Sequence, residues 1–260
     1  MNYIKKTETQ GSGVRAIALI GAANSGKTWA AATFPNPLFV DFDKKLPRHL
    51  TTPVSSLPFW DEVFLAEVIK EEKLAASTKI GGIVASSHVF LAWITKVAPS
   101  IPEDVTLVID SWTMMQQLLD RVLNATKKQN SAGEVDTREY YARKATLSTE
   151  VLAALKNLKC QHVVIFHESK DMKSDGSPSG KLNPLMAGSL KESLPQNFTH
   201  WIRQTAEENK ATKEIEYLWQ IKPNNECNCN CPEPHLLAQP KLMKVKAHYD
   251  SLLPNGIYAT

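Results

Sequence analysis

Short apolar, β-branched runs alternate with stretches of helical spacing through about the first 170 residues. Arg15–Ile20 (RAIALI), Leu38–Asp41 (LFVD), Thr106–Asp110 (TLVID) and His162–Phe166 (HVVIF) have no polar alternation and read as strands buried on both faces. Between them, Gly26–Thr33, Trp60–Leu74, Ser87–Ala98, Thr113–Thr126 and Arg143–Leu158 carry helical periodicity. In the last of these, Leu147, Val151, Leu155 and Leu158 fall on one stripe. Strands that alternate with helices predict parallel crossovers, and so an α/β doubly wound sheet.

The pattern changes after Ser169. Ser169–Gly188, rich in Gly, Pro and Lys with little periodicity, predicts a loop. Phe198–Thr205 and Glu214–Ile221, separated by a polar stretch, predict an antiparallel hairpin, and Leu242–Tyr249 a last strand. No internal repeat or linker is visible. The division is an N-terminal tail at 1–14 and a single domain at 15–260, with an irregular Cys/Pro-rich insertion at 223–240.

Composition narrows the function class. At 260 residues, 43% hydrophobic and 22% charged, the chain can build a core, and is neither low-complexity nor wholly disordered. A net charge of +3 is too small for binding polyanions by bulk charge. The most apolar window, Gly81–Ser100, is broken by His88 and Lys96, so no membrane span is expected. The polar start, Met1–Gln10, has no apolar core of a secretory signal, and four cysteines make no disulfide framework. A cytoplasmic protein is expected.

The sharpest motif is Gly21-Ala22-Ala23-Asn24-Ser25-Gly26-Lys27-Thr28, which fits GxxxxGK[ST] and sits between an apolar strand and a helix. Gly21 and Gly26 let the backbone curl so that its N–H groups converge on a phosphate. The helix start adds a positive end, Lys27 reaches the β- and γ-oxygens, and the Thr28 hydroxyl ligates Mg²⁺. Trp29 follows; it either approaches the nucleotide or packs against the sheet. Asp110 ends an apolar strand, where a carboxylate can hold the Mg²⁺ shell, and Ser111 is placed to cap the next helix. Asp41 and Asp43 end the strand after the phosphate loop; they either polarise an attacking water or stabilise a turn. His167 and Glu168 end a further strand, as γ-phosphate sensors or as polar edge residues.

With these residues assembled, the chain resembles the RecA-like P-loop ATPases, and more narrowly the compact core-only recombinase and single-strand annealing (Sak-type) proteins of bacteriophages. The resemblance runs through GAANSGKT, LFVDFD, LVIDSW, HVVIFHES, a Gly/Lys loop and NPLMAG. It implies a RecA-like P-loop NTPase with a mostly parallel central sheet, helices on both faces and an antiparallel C-terminal edge. It also implies ATP and Mg²⁺ as ligands, slow DNA-dependent hydrolysis, and a homo-oligomer, ring or filament, on single-stranded DNA. A single-strand-binding protein is a further implied partner. The family places Asp-x-Glu where this chain has Asp41-Phe42-Asp43, so Asp43 would stand at the base position one methylene short. Asp110 matches the Mg²⁺-associated carboxylate and His167 the γ-phosphate sensor. Lys244 and Lys246 resemble a basic pair that reaches a neighbouring subunit's nucleotide, although the family often has Lys-x-Arg.

Two basic segments are candidates for single-stranded DNA. One, 127–144, holds Lys127, Lys128, Arg138, Arg143 and Lys144 beside Tyr140 and Tyr141 and is expected as a loop. The other holds Lys170, Lys173 and Lys181 among glycines and serines. Acidic neighbours dilute both, and a solvated surface is the alternative. Cys227, Cys229 and Cys231 with His235 lack common zinc spacing and predict an exposed, oxidation-prone loop. Cys160, His88, His162 and His200 read as core or edge residues. Two rivals remain at this point: a small-molecule kinase, which usually needs an arginine-rich lid absent between Ser169 and Arg203, and a non-catalytic nucleotide-dependent DNA-binding adaptor.

Overall fold

The computed structural model describes residues 14–46, 50, 54–74, 79–80, 83–125, 137–172, 175–186 and 190–254. In chain order the elements are β1 (Ala16–Gly21), α1 (Lys27–Ala31), β2 (Pro37–Asp41), β3 (Ser55–Pro58), α2 (Glu62–Glu71), β4 (Lys79–Ile80), β5 (Ile83–Val84) and α3 (Ser86–Lys96). They continue with β6 (Thr106–Asp110), α4 (Trp112–Ala125), α5 (Thr137–Leu155), β7 (Gln161–Met172), β8 (Pro178–Pro184) and α6 (Leu190–Ser193). The last are β9 (His200–Glu208), β10 (Ile215–Gln220), α7 (Pro234–Leu237) and β11 (Lys244–Lys246).

The central sheet runs β11-β10-β9-β1-β7-β6-β2-β3, with β8 attached to β7. From β9 to β3 every pairing is parallel, and β10 and β11 add antiparallel strands at one edge. The expected mixed α/β architecture is therefore present. Strand β7 lies between the phosphate-loop strand and the Asp110 strand, so Gly21, Asp41, Asp110 and His167 all reach the carboxyl end of one parallel sheet, where ligands collect in open α/β folds.

Alternate residues of the central strands enter two cores. Ala18, Ile20, Ile109, Val164 and Phe166 pack under α2, α3, α4 and α5, whereas Ile17, Leu19, Val108, Val163 and Ile165 face α1, α7 and the C-terminal strands. The first core holds an aromatic cluster in which Phe42, Phe59 and Phe90 meet edge-on or tilted at 5.2–5.6 Å. Each such pair contributes about 0.5–1.5 kcal/mol beyond its buried area. Phe42 thus anchors the end of β2 in the core and fixes where the chain turns.

Several sequence expectations are corrected. Helix α1 is shorter than Gly26–Thr33, because its last turn tightens to i→i+3 bonds before Pro35 (Thr33 N to Ala30 O, 3.2 Å; Phe34 N to Ala31 O, 3.3 Å). The expected loop at Ser169–Gly188 contains a two-stranded ribbon in its described part: β7 runs on to Met172 and pairs antiparallel with β8. Backbone bonds carry that ribbon, and they leave no hydrophobic signature. Tyr140, Tyr141, Arg143 and Lys144 belong to helix α5 and not to a loop. The short β3 and the β4–β5 pair carried no strand signal. Among the described residues, no helix is long and apolar enough to cross a membrane.

Candidate nucleotide site

The phosphate loop is shaped by two glycines. Gly21 passes so close to β9 that a Cβ there would lie 2.6 Å from the Gln204 carbonyl oxygen. Gly26 has φ 83°, a left-handed geometry that a side chain strains, and a Cβ there would lie 2.7 Å from the Tyr217 ring. Lys27 begins α1 and turns its ammonium back into the loop, donating to Gly21 O (3.0 Å), Ala22 O (2.6 Å) and Ser25 Oγ (3.4 Å). Burial lowers its pKa to about 8, although Asp110, Glu168 and Asp43 pull the other way.

The Thr28 hydroxyl donates to Asp110 Oδ2 at 2.7 Å, which joins the two residues expected at Mg²⁺. Asp110 is pushed up to about 6, mainly by burial and further by the nearby Asp43 and Asp41 carboxylates. The peptide Asp110–Ser111 is cis. Ser111 caps α4 as expected, its Oγ accepting from Met114 N at 3.2 Å.

The structure separates Asp41 from Asp43. Asp41 Oδ1 accepts from the Asp43 and Lys44 amides at 2.9 and 3.0 Å, and Oδ2 from Trp60 Nε1 at 3.1 Å. Asp41 is the turn former. Asp43, lifted by that turn, lines a cavity of about 340 Å³ together with residues 23–29, Lys45, Asp110, Ile165, His167 and Tyr217. His167 is placed by its backbone: its N–H donates to Thr113 Oγ1 and its carbonyl accepts from Leu185 N. Burial lowers its pKa, and the Lys27 charge adds to that.

Nearly all residues expected at the nucleotide therefore converge. Trp29, for which packing was one reading, is 42% exposed at the cavity rim. Tyr217, 47% exposed on β10, lines the same cavity with its ring against Gly26 and was missed by sequence reasoning, because nothing local ties a residue of a late antiparallel strand to the loop. The residue set fits a Mg²⁺–nucleotide: a backbone curl closed to any side chain, a buried cation, and a hydroxyl paired with a carboxylate.

The candidate DNA residues are more scattered. Lys144 is buried and donates to Asp120 at 2.9 Å, and Arg143 pairs with Glu139 at 2.6 Å. Lys170 and Lys181 are exposed on the ribbon that continues from His167. The pairing of Lys170 with Leu182 puts the two lysines on opposite faces, so a strand of DNA meeting both must cross the ribbon's edge. Lys127, Lys128 and Lys173 lie outside the described residues. At the far edge, Lys244 is held within its own chain by Glu207 at 2.5 Å, while Lys246 is exposed. The cysteine expectation is corrected: Cys227, Cys229 and Cys231 are each 4% exposed or less. Alternation with exposed Asn228 and Asn230 turns all three sulfurs inward. The described residues hold no group of three or more His, Cys, Asp or Glu side chains placed for a metal ion.

No curated protein matches the sequence. Among solved structures, a KaiC-like protein, PH0186 from Pyrococcus horikoshii OT3, is similar at 16% identity over 83% of this chain and 82% of its own, with a TM-score of 0.40. A prototypical ATPase of the type III secretion system of pathogenic bacteria is similar at 10% identity over 75% of this chain and 53% of its own, with a TM-score of 0.39. The RadB recombinase is similar at 13% identity over 80% of this chain and 82% of its own, with a TM-score of 0.35. The phosphate loop and the parallel sheet with its antiparallel edge make the fold a RecA-like P-loop NTPase, and because residues 14–228 match the AAA domain family AAA_24, the chain belongs to that family.

Proposed function

We propose that the protein binds ATP with Mg²⁺ and hydrolyses it slowly, as an oligomeric DNA recombination or annealing protein acting on single-stranded DNA. The observation that carries the reading is the convergence of Lys27, Thr28, Asp43, Asp110 and His167 on one cavity at the carboxyl end of the sheet. Mg²⁺, held by Thr28 and through water by Asp110, would neutralise charge on the phosphates. The amides of residues 21–28 cradle the phosphate chain, and Lys27 exchanges its bonds to the Gly21 and Ala22 carbonyls for phosphate oxygens. Asp43 accepts a proton from the attacking water. Its side chain is one methylene shorter than the glutamate of related ATPases, which favours slow turnover. His167 meets the terminal phosphate and passes its position to the ribbon that starts one residue later.

DNA binding is assigned to Lys170 and Lys181 on that ribbon and to Lys173 in the same stretch of sequence, with Arg143 and Lys144 secondary because both are engaged in ion pairs. Lys246, rather than Lys244, is the better candidate for reaching a neighbouring subunit's nucleotide. The test is ATP turnover with Mg²⁺, with and without single-stranded DNA. Stimulation by DNA supports the reading, turnover only with a metabolite indicates a kinase, and nucleotide binding without turnover indicates an adaptor. Replacing Lys170, Lys173 and Lys181 with alanine should flatten the slope of log affinity against log salt by roughly 2, at about 0.7 per phosphate contact. An unchanged slope places the DNA elsewhere.

A further inference from the structure

We propose that Cys227 and Cys229 form a thiol–disulfide exchange site whose reacting class is low-molecular-weight disulfides. Their sulfurs lie 3.4 Å apart, with the Cys229 thiol donating to Cys227. The segment that carries them is pinned at three points. The Asn224 side chain accepts from the Glu226 and Cys227 amides, Leu182 N donates to Glu226 O, and Asn230 pairs with Trp201. The contact between sulfurs is therefore built by the backbone, and a modest rotation of the side chains closes it toward the roughly 2.05 Å of a disulfide. Cys231 follows the same alternation but packs in the second core with Trp219, Ile221 and Leu236, and Cys160 lies in the first. These two thiols have no such partner sulfur and serve as internal controls.

The hydrogen bond within the pair, with the charge of Arg203 beside it, selects the attacking sulfur. Arg203 approaches from β9, binding Glu168 at 2.9 Å and Glu226 at 3.6 Å. The Cys227 thiol is lowered by the Cys229 hydrogen bond and, less, by Arg203, against burial and the Glu168 and Glu226 charges, whereas Cys229 is raised by the same hydrogen bond and by burial. Cys227 thiolate attacks one sulfur of the disulfide and expels a thiolate, leaving a mixed disulfide. Cys229 then gives up its proton and attacks the Cys227 sulfur, expelling the second thiol. Two protein thiols are oxidised and one small disulfide is reduced to two thiols. Cys227 and Cys229 are each 3% exposed, but Glu226, Asn228 and Asn230 beside them are exposed, so the small disulfide reaches the sulfurs through a local opening of this surface segment.

Arg203 also links this pair to the nucleotide cavity, a coupling that rests on the function proposed above. Its partner Glu168 follows His167 and acts on the Lys27 charge. Oxidation takes from Arg203 the negative charge that Cys227 can carry, leaves Arg203 to its carboxylates, and so weakens the pull of Glu168 on Lys27.

The experiment incubates the full chain with oxidised glutathione, quenches with acid, alkylates under denaturing conditions and maps the peptides by mass spectrometry. The expected result is a Cys227–Cys229 disulfide, shown by loss of two hydrogens, with Cys231 and Cys160 alkylated. In Cys229→Ser, Cys227 should retain glutathione. Full alkylation of all four cysteines in the wild type, a disulfide to Cys231, or no glutathione on Cys227 in the variant would overturn the site. A fluorescent ATP analogue should bind the oxidised protein about fivefold or more differently from the reduced one. A disulfide with unchanged affinity overturns the coupling alone, and no nucleotide binding in either state overturns the ATP reading while leaving the disulfide result intact.

Discussion

At the carboxyl ends of β1 and β6, Lys27 and Asp110 are buried with their pKa values displaced toward the neutral forms, to about 8 and about 6. At the amino ends of β1 and β9, buried His200 meets half-buried Arg15 and Glu233, with the opposite outcome. Arg15 Nε and His200 Nε2 both meet Glu233 Oε1, at 2.8 and 2.9 Å, and Arg15 also donates to Tyr249 at 3.4 Å. Burial alone would raise Glu233, yet its bonds to His200 and Arg15 bring it down to about 2. The same sheet therefore holds one set of charges that the fold satisfies and one that it leaves for something else to satisfy. A polyanion beside Lys27 and a cation beside Asp110 would supply what the protein does not, which is how perturbed groups mark functional sites.

The largest expected effect is at Lys27. Lys27→Ala should lower ATP affinity or turnover by about a hundredfold or more, since it removes the side-chain cation on the transferred phosphate. It also removes a desolvated charge, so the melting temperature should hold or rise. A folded variant with wild-type affinity and turnover would break the contrast between the two ends.

Asp43→Asn should lower turnover by about a hundredfold with nucleotide affinity nearly unchanged, because a base acts in the transition state. Asp41→Asn should instead lower stability, through the turn it caps and the Trp60 indole it accepts. Loss of turnover in the Asp41 variant with turnover retained in the Asp43 variant would reverse the assignment of the base.

The two ends differed in how much of them the sequence disclosed. The phosphate loop and Asp110 were legible because their chemistry is local: a fixed spacing after an apolar strand, and a carboxylate at a strand end. Tyr217 was not, because only the pairing of β10 on β9 and of β9 on β1 brings it over Gly26. The Arg15–Glu233–His200 group was invisible for the same reason, its members being joined by the order of strands and not by any spacing. The β7–β8 ribbon was read as a loop, since Gly, Ser and Lys satisfy backbone hydrogen bonds as well as apolar residues do. For the cysteines the burial signal was present, in the period-two alternation with asparagine, but the polar neighbours outweighed it.

Stability against pH tests the unsatisfied end directly. Asp110 keeps its proton in the folded chain up to about pH 6 but releases it near 3.8 when unfolded. Wild-type stability is therefore lost as pH rises through that window, and Asp110→Asn, whose amide oxygen still accepts from Thr28, escapes the loss. The stability of the variant minus that of the wild type should grow by about 3 kcal/mol between about pH 4 and pH 7, in urea unfolding. A flat difference would mean that the buried charge is already compensated within the chain.

Glu233→Gln probes the satisfied end and should give the smallest change, with the opposite sign. The folded-state pKa lies near 2 against an ordinary 4.5, so the ionised carboxylate stabilises the protein above about pH 4.5, and this contribution fades as pH falls toward 2. Glutamine keeps an oxygen for the Arg15 and His200 donors and removes only the charge, and the group is partly open to water. The loss at pH 7 should be about 1–2 kcal/mol after solvent screening. Urea midpoints should separate at pH 7 and converge below about pH 4.5, the reverse of the Asp110→Asn series. Because Arg15 acts through the same oxygen, Arg15→Met combined with Glu233→Gln should cost less than the two single changes added together. Strict additivity would show that the ion pair is incidental and that His200 alone holds Glu233, which would confine the satisfied end of the sheet to β9 and remove β1 from it.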